Sequence, residues 1–174
     1  MSNAKARELD FDDIQLIRYW RNLDHVRNRM VLTNFIERDG QRDWFEKLNV
    51  DTAKYFIYSL GPKDIGSFNF VKIDRNEQSF VGGIFCGDTN FLGHWINIWA
   101  CVQMYNMAFL DLNLTTSYAT ILKDNTAALS LNKALGYKFI EDQDNNIGRF
   151  ILTKDDFLKS SIKIQRFLKQ FVQQ

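Results

Sequence analysis

Residues 91–97 read FLGHWIN and stand between two apolar runs, SFVGGIFCG and WINIWACVQMYNMAFLDL. A glycine at a strand-to-helix junction lets backbone approach a ligand closely. The first N–H groups of the following helix then face that ligand, and the helix dipole favours an anion there. Gly93 thus marks a candidate phosphate loop, with Leu92, His94, Trp95, Ile96 and Asn97 around it. Arg18, Arg21 and Arg27 lie on one early segment and suit bidentate recognition of an oxyanion. His25 and His94 are the only histidines and read as surface or loop residues. Glu77 and Asp88 flank the glycine-bearing strand and read as solvated turn carboxylates. Cys86 and Cys101 sit inside apolar runs without C-x-x-C spacing, the pattern of reduced core thiols. No Ser-His-Asp constellation and no metal-ligand spacing stands out.

These residues need elements to hold them. The segment DDIQLIRYWRNLDHVRNRM places Ile14, Ile17, Trp20 and Leu23 at helical spacing, with Asp12 or Asp13 as its cap. RDGQRDWFEKL predicts a short helix over 38–48 that buries Trp44, Phe45 and Leu48. The period then changes to two. Runs at 53–60, 65–74 and 78–87 predict an antiparallel meander, turned by GPKD and RNEQ. A long apolar helix follows Gly93. TTSYATIL predicts a strand, and NTAALSLNKALG a helix ended by Gly136. YKFIED and GRFILTK predict two more strands before an amphipathic C-terminal helix. The strand–helix–strand crossover puts 78–87 and 115–122 side by side and parallel. Ligands gather at the C-terminal ends of such strands, where FLGHWIN begins.

The chain has 174 residues, 45% of them hydrophobic and 25% charged, which suits one soluble domain with a sizeable core. A net charge of +1 argues against an electrostatic grip on nucleic acid or an anionic membrane. The N-terminal residues carry no apolar signal core, so a cytoplasmic protein is expected. The run Trp95 to Leu112 contains Asn97, Gln103, Asn106 and Asp111, which points to a buried helix rather than a bilayer span.

Three motifs, in this order of elements, carry a resemblance. The early helix has Trp20, Arg21, Asn22, Arg27 and Met30. The late helix has Asn125, Ala128, Leu131, Leu135, Gly136 and Tyr137. The loop has Gly93. Together they resemble the GNAT superfamily of acyl-CoA-dependent N-acyltransferases, over about Leu9 to Lys154. The nearest likeness is to enzymes acetylating ribosomal-protein N-termini and to those acetylating amino sugars.

The resemblance implies a single GNAT domain over 1–174. Its mixed α/β sheet would have antiparallel N-terminal strands, a splayed parallel pair, flanking helices and an extra C-terminal helix. It implies acetyl-CoA as co-substrate, no metal, and a primary amine on a small molecule or peptide as acceptor. Backbone of Ile84, Phe85 and Cys86 would polarise the thioester carbonyl and line the pantetheine. Leu92 to Asn97 would wrap the pyrophosphate. Asn125 and Ala128 would hold the pantetheine side, and Trp20, Arg21, Arg27 and Met30 the acceptor. Asn132 stands where many members place a general-acid tyrosine. It can hydrogen-bond a leaving sulfur but is a poor acid. Leu92, Trp95 and Asn97 depart from the small and basic residues of the family loop, so a weakened or shifted cofactor grip is expected. The alternative reading is the same fold serving as a binding or regulatory module without catalysis. The apolar residues of the C-terminal helix call for a cover, from the same chain or a second copy.

Overall fold

Alternating side chains project from opposite faces of a strand, and this pattern builds the sheet. The computed structural model describes residues 3–172. Its strands are β1 (Ala4–Glu8), β2 (Lys54–Leu60), β3 (Lys63–Asp74), β4 (Ser79–Cys86), β5 (Thr116–Leu122), β6 (Lys138–Asp142) and β7 (Ile147–Thr153). They form one sheet in the order β1-β2-β3-β4-β5-β7-β6. Every neighbouring pair is antiparallel except β4 with β5. The helices are α1 (Ile14–Asn22), α2 (Asp24–Arg27), α3 (Arg38–Glu46), α4 (Trp95–Asn106), α5 (Thr126–Leu135) and α6 (Lys154–Val172). The expected mixed α/β architecture is therefore present, and the meander, crossover and late strands lie where the periods place them.

The parallel pair is short. Ser79, Phe80 and Val81 pair with Thr116, Ser117 and Tyr118. Beyond them β4 stays with β3 as far as Cys86, and β5 stays with β7 as far as Leu122. The two strands part at Val81 and Tyr118, which opens a V in the middle of the sheet.

The two faces carry separate apolar clusters. Phe56 and Tyr58 of β2 join Phe68 and Phe70 of β3 and the inner side of α4. Ile57, the residue between them, joins Ile14, Ile17 and Trp20 of α1 on the other face. Phe157 at the start of α6 packs between Tyr105 and Phe109. The C-terminal helix is thus covered on one side by its own chain. Leu158, Ile162 and Phe167 stay exposed on the other. No helix among the described residues is long and apolar enough to cross a membrane.

Four local details differ from the pattern-based expectation. A strand, β1, precedes Leu9; its alternation of Ala4 and Ala6 with Lys5 and Arg7 is too weakly apolar to read as one. The cap of the first helical turn is Asp10, which accepts from the Asp12 N–H at 2.9 Å, while the Asp13 carboxylate accepts from the Asp10 N–H. The early helix breaks at extended Leu23. Asn22 holds that break, since its side chain both accepts from and donates to the backbone of Ile36. In α3 the fully buried residue is Gln41, whereas Trp44, Phe45 and the following Leu48 are half-buried.

Candidate active site

The V opens into a cleft of about 720 Å³ that passes through the sheet. Period-two alternation decides what each side receives. Asn69 and Gly83 are register partners, as are Ser67 and Phe85. They face α1–α3, where Arg21, His25 and Trp44 complete one chamber. Ile84 and Cys86 face α4, where Met104, Tyr105 and the α5 residues Asn125, Ala128 and Asn132 complete the other. An acyl donor and an acceptor entering from opposite faces would meet at the parted edge of β4. Peptide groups there have lost β5 as a partner, and unpaired strand backbone is a ready hydrogen-bonding template.

Of the residues expected at a cofactor, Ile84, Phe85, Cys86, Leu92, Asn125, Ala128 and Asn132 line this cleft. Asn125 caps α5 by accepting from the Ala128 N–H at 3.2 Å. Asn132 donates to the Ala128 carbonyl one turn back at 2.8 Å, which leaves its second N–H as a donor and its amide oxygen as an acceptor.

Gly93, His94, Trp95, Ile96 and Asn97 lie outside the cleft lining, and their groups serve the fold. The Trp95 ring stacks on Phe171 of α6, with centroids 5.4 Å apart. Asn97 accepts from the Tyr58 hydroxyl at 2.6 Å and donates to the carbonyls of Phe91 and His94. Ile96 is a core side chain. His94 caps α4, its Nδ1 accepting from the Ile96 N–H at 3.3 Å. The amides of Leu92, His94 and Asn97 bond to the Thr89, Phe91 and His94 carbonyls. Gly93 keeps a left-handed backbone, with φ of +74° and open space beside it. Most loop donors are therefore occupied. The V and the α5 edge leave room for an extended chain such as the expected pantetheine arm, whereas the loop offers a pyrophosphate few free amides and no basic side chain besides His94.

The expected acceptor residues separate. Arg21 and Met30 line the cleft. Trp20 does not; it is 5% exposed, and a Cβ on Gly87 would stand 2.3 Å from its ring. Bulk rather than recognition explains that residue. Arg27 is also away from the cleft lining and pairs with Asp24 at 2.8 Å. Arg18 is held by Gln15. Burial pushes the Arg21 guanidinium below its ordinary range, with nearby Tyr55 opposing.

His25 is the residue whose position the pattern of types did not reveal. It lines the cleft, and its Nε2 lies 3.1 Å from the Cys86 carbonyl. A carbonyl only accepts, so Nε2 carries the proton and Nδ1 of the neutral ring is the basic nitrogen. The break at Leu23 is what turns α2 toward the end of β4. Asp88 is engaged by Lys63 at 2.6 Å and Glu77 is exposed in a turn. Neither lines the cleft.

Beneath the V, Tyr137 lies 2.6 Å from the Ser117 hydroxyl and 3.0 Å from that of Tyr105. Burial raises both tyrosines well above the ordinary phenol range, so they stay neutral. Among the described residues no group of three His, Cys, Asp or Glu is placed to hold a metal.

Comparison with known proteins agrees with this geometry. Residues 5–138 match the acetyltransferase (GNAT) domain family. No curated protein matches the sequence significantly. Among solved structures, a domain from Methanocaldococcus jannaschii DSM 2661 superposes with a TM-score of 0.77 at 18% identity, covering 88% of this chain and 99% of that one. Spermidine N-acetyltransferase from Vibrio cholerae in complex with CoA and spermine gives 0.78 at 15% identity, covering 90% and 98%. A dodecameric structure of spermidine N-acetyltransferase from Vibrio cholerae gives 0.73 at 16% identity, covering 91% and 98%. The family match spans most of the chain and includes the V, the loop and α5, so this chain belongs to the GNAT acetyltransferases and is an acyl-CoA-dependent N-acetyltransferase.

Proposed function

We propose that the protein transfers an acetyl group from acetyl-CoA to the primary amine of a small molecule, a nucleotide-linked amino sugar foremost, with a protein N-terminus as the other acceptor class. The observation that carries this reading is the through-sheet cleft at the parting of β4 and β5. Acetyl-CoA supplies an activated thioester carbonyl. The chain does the rest. Parted β4 backbone at Ile84–Cys86 donates to that carbonyl, and Asn125, Ala128 and Asn132 hold the arm. His25 takes the proton of the incoming ammonium through Nδ1, because no carboxylate among the described residues lines the cleft; the freed amine then attacks the thioester carbonyl, the C–S bond breaks as the amide forms, and the departing CoA sulfur takes up the second amine proton. Arg21 and Met30 orient the acceptor.

The proposed setting is the cytoplasm, where acetyl donors and reduced thiols such as Cys86 and Cys101 coexist. A homodimer through the exposed apolar face of α6 is proposed from Leu158, Ile162 and Phe167, and light scattering of the purified protein tests it.

Calorimetric titration with acetyl-CoA and with free CoA tests the reading. Micromolar binding of both, followed by thiol release with a primary amine, supports it. A protein that binds neither at millimolar concentration is a non-catalytic module, the reading that the occupied loop amides favour.

A further inference from the structure

The chamber facing α1–α3 holds polar groups that the fold itself does not use. Gln41 is 4% exposed and Ser67 is 1% exposed, and both line the cleft. Among the described residues neither side chain has a hydrogen-bond partner in the protein. Buried amides and hydroxyls are normally satisfied, so at a cavity wall these groups are left for solvent or a ligand to satisfy. Arg21 lines the same cleft, partly desolvated and without a carboxylate partner among the described residues. Arg29 stands at the rim, donating to the Asp124 carbonyl at 3.3 Å with the Asp124 carboxylate 3.7 Å away. The lining contains no Asp or Glu. A guanidinium, an amide and a hydroxyl on the wall of one carboxylate-free chamber supply N–H and O–H donors, and the guanidinium a positive charge. Such a pocket stabilises negative charge and leaves a polycation without a counter-charge.

We propose that this chamber is an oxyanion subsite in which Arg21, Gln41 and Ser67 bind a carboxylate or phosphate carried by the acceptor, selecting amines that bear a negative group and rejecting polyamines. The proposal rests on the acetyl-transfer reading for the word acceptor, but the binding it describes is measurable without turnover. Arg21 would act as a fork on two oxygens, the geometry that distinguishes Arg from Lys. Trp44 and Tyr55, edge-to-face at 4.8 Å, wall the space beside it.

Calorimetry with matched probes tests this, with and without saturating CoA. One pair is an amino acid and its amide; the other is glucosamine 6-phosphate and glucosamine. Spermidine is the cationic control. The anionic member of at least one pair is expected to bind about tenfold more tightly or better, and the pair that responds separates carboxylate from phosphate. Arg21→Met is expected to abolish the preference and Arg21→Lys to retain part of it. Gln41→Leu removes a donor without a charge change, and is expected to weaken the anionic member alone. Equal binding within both pairs overturns the proposal. So does tighter binding of spermidine, or an Arg21→Met protein that keeps its preference. Failure of acetyl-CoA to bind would overturn the transfer reading while leaving the anion result to stand.

Discussion

His25 Nε2 and the carbonyl oxygen of Cys86 lie 3.1 Å apart, joining the short helix after the Leu23 break to the end of the central strand. The contact fixes both the tautomer and the place of the one imidazole in the cleft. His25→Gln keeps a donor for the carbonyl and removes the base. It is expected to lower kcat/KM about a hundredfold, the usual scale for a lost general base. Acetyl-CoA affinity should be unchanged. Steady-state rates with a fixed amine and calorimetric titration with acetyl-CoA check both effects.

Asn97 makes a second prediction. It receives the hydroxyl of Tyr58, a ring buried in the main core. Asn97→Ala leaves that hydroxyl only the Phe85 carbonyl at 3.2 Å and strips a donor from the Phe91 and His94 carbonyls, and is expected to cost about 1–2 kcal/mol. Asn97→Asp keeps the acceptor but sets a carboxylate oxygen against the Phe91 and His94 carbonyls, and should cost at least as much. Urea unfolding of both variants measures the losses. A loop whose Asn97 served only a bound phosphate would show no such loss.

The thiols give a third. Burial pushes Cys101 up to about 12, and burial also raises Cys86, with the Tyr58 hydrogen bond opposing. A raised thiol carries less thiolate at any given pH. Alkylation of native protein at pH 8 is therefore expected to be slow at both, and fast once the chain is unfolded. Both line the cleft, but Cys86 is half-buried and Cys101 is only 3% exposed, so raising the pH should label Cys86 first. Bound CoA should slow that labelling. Mass mapping of labelled peptides reads the order.

A fourth concerns acid. Arg7 forms a two-point ion pair with Asp13, one contact at 2.8 Å, and also reaches Asp64 at 3.0 Å. The Arg7 hydrogen bond holds the Asp13 carboxyl below its ordinary range, against desolvation. A carboxyl depressed on folding contributes stability above its unfolded pKa, about 4. That contribution is lost as pH falls through the lower folded value. Asp13→Asn should thus be less stable than wild type at pH 7, with the gap closing at pH values below about 4. Denaturation midpoints at a series of pH values check the sign.

Much of the fold is written in local periods. Ile14, Ile17 and Trp20 announce α1, and the runs between Lys54 and Cys86 announce the meander. Gly136 ends α5 at φ +101°, where glycine alone is at ease. Asn125 was legible as a helix cap for the same local reason. The early strand carries no such local signal, because Ala4 and Ala6 offer little apolar contrast.

The sequence by itself determined the element types, their order and the family, because hydrophobic period, caps and short motifs are properties of neighbours along the chain. It also showed that Leu92, Trp95 and Asn97 depart from a phosphate loop. Only the tertiary structure decided where those side chains go: Trp95 onto Phe171, Asn97 onto Tyr58. The same holds for the site. Arg18, Arg21 and Arg27 look alike in the chain, yet Gln15 and Asp24 hold two of them while Arg21 lines the cleft. His25 reaches Cys86 across 61 positions. Partners so distant in sequence leave no periodic trace, since they are set by how helices dock on a sheet that parts at Val81 and Tyr118.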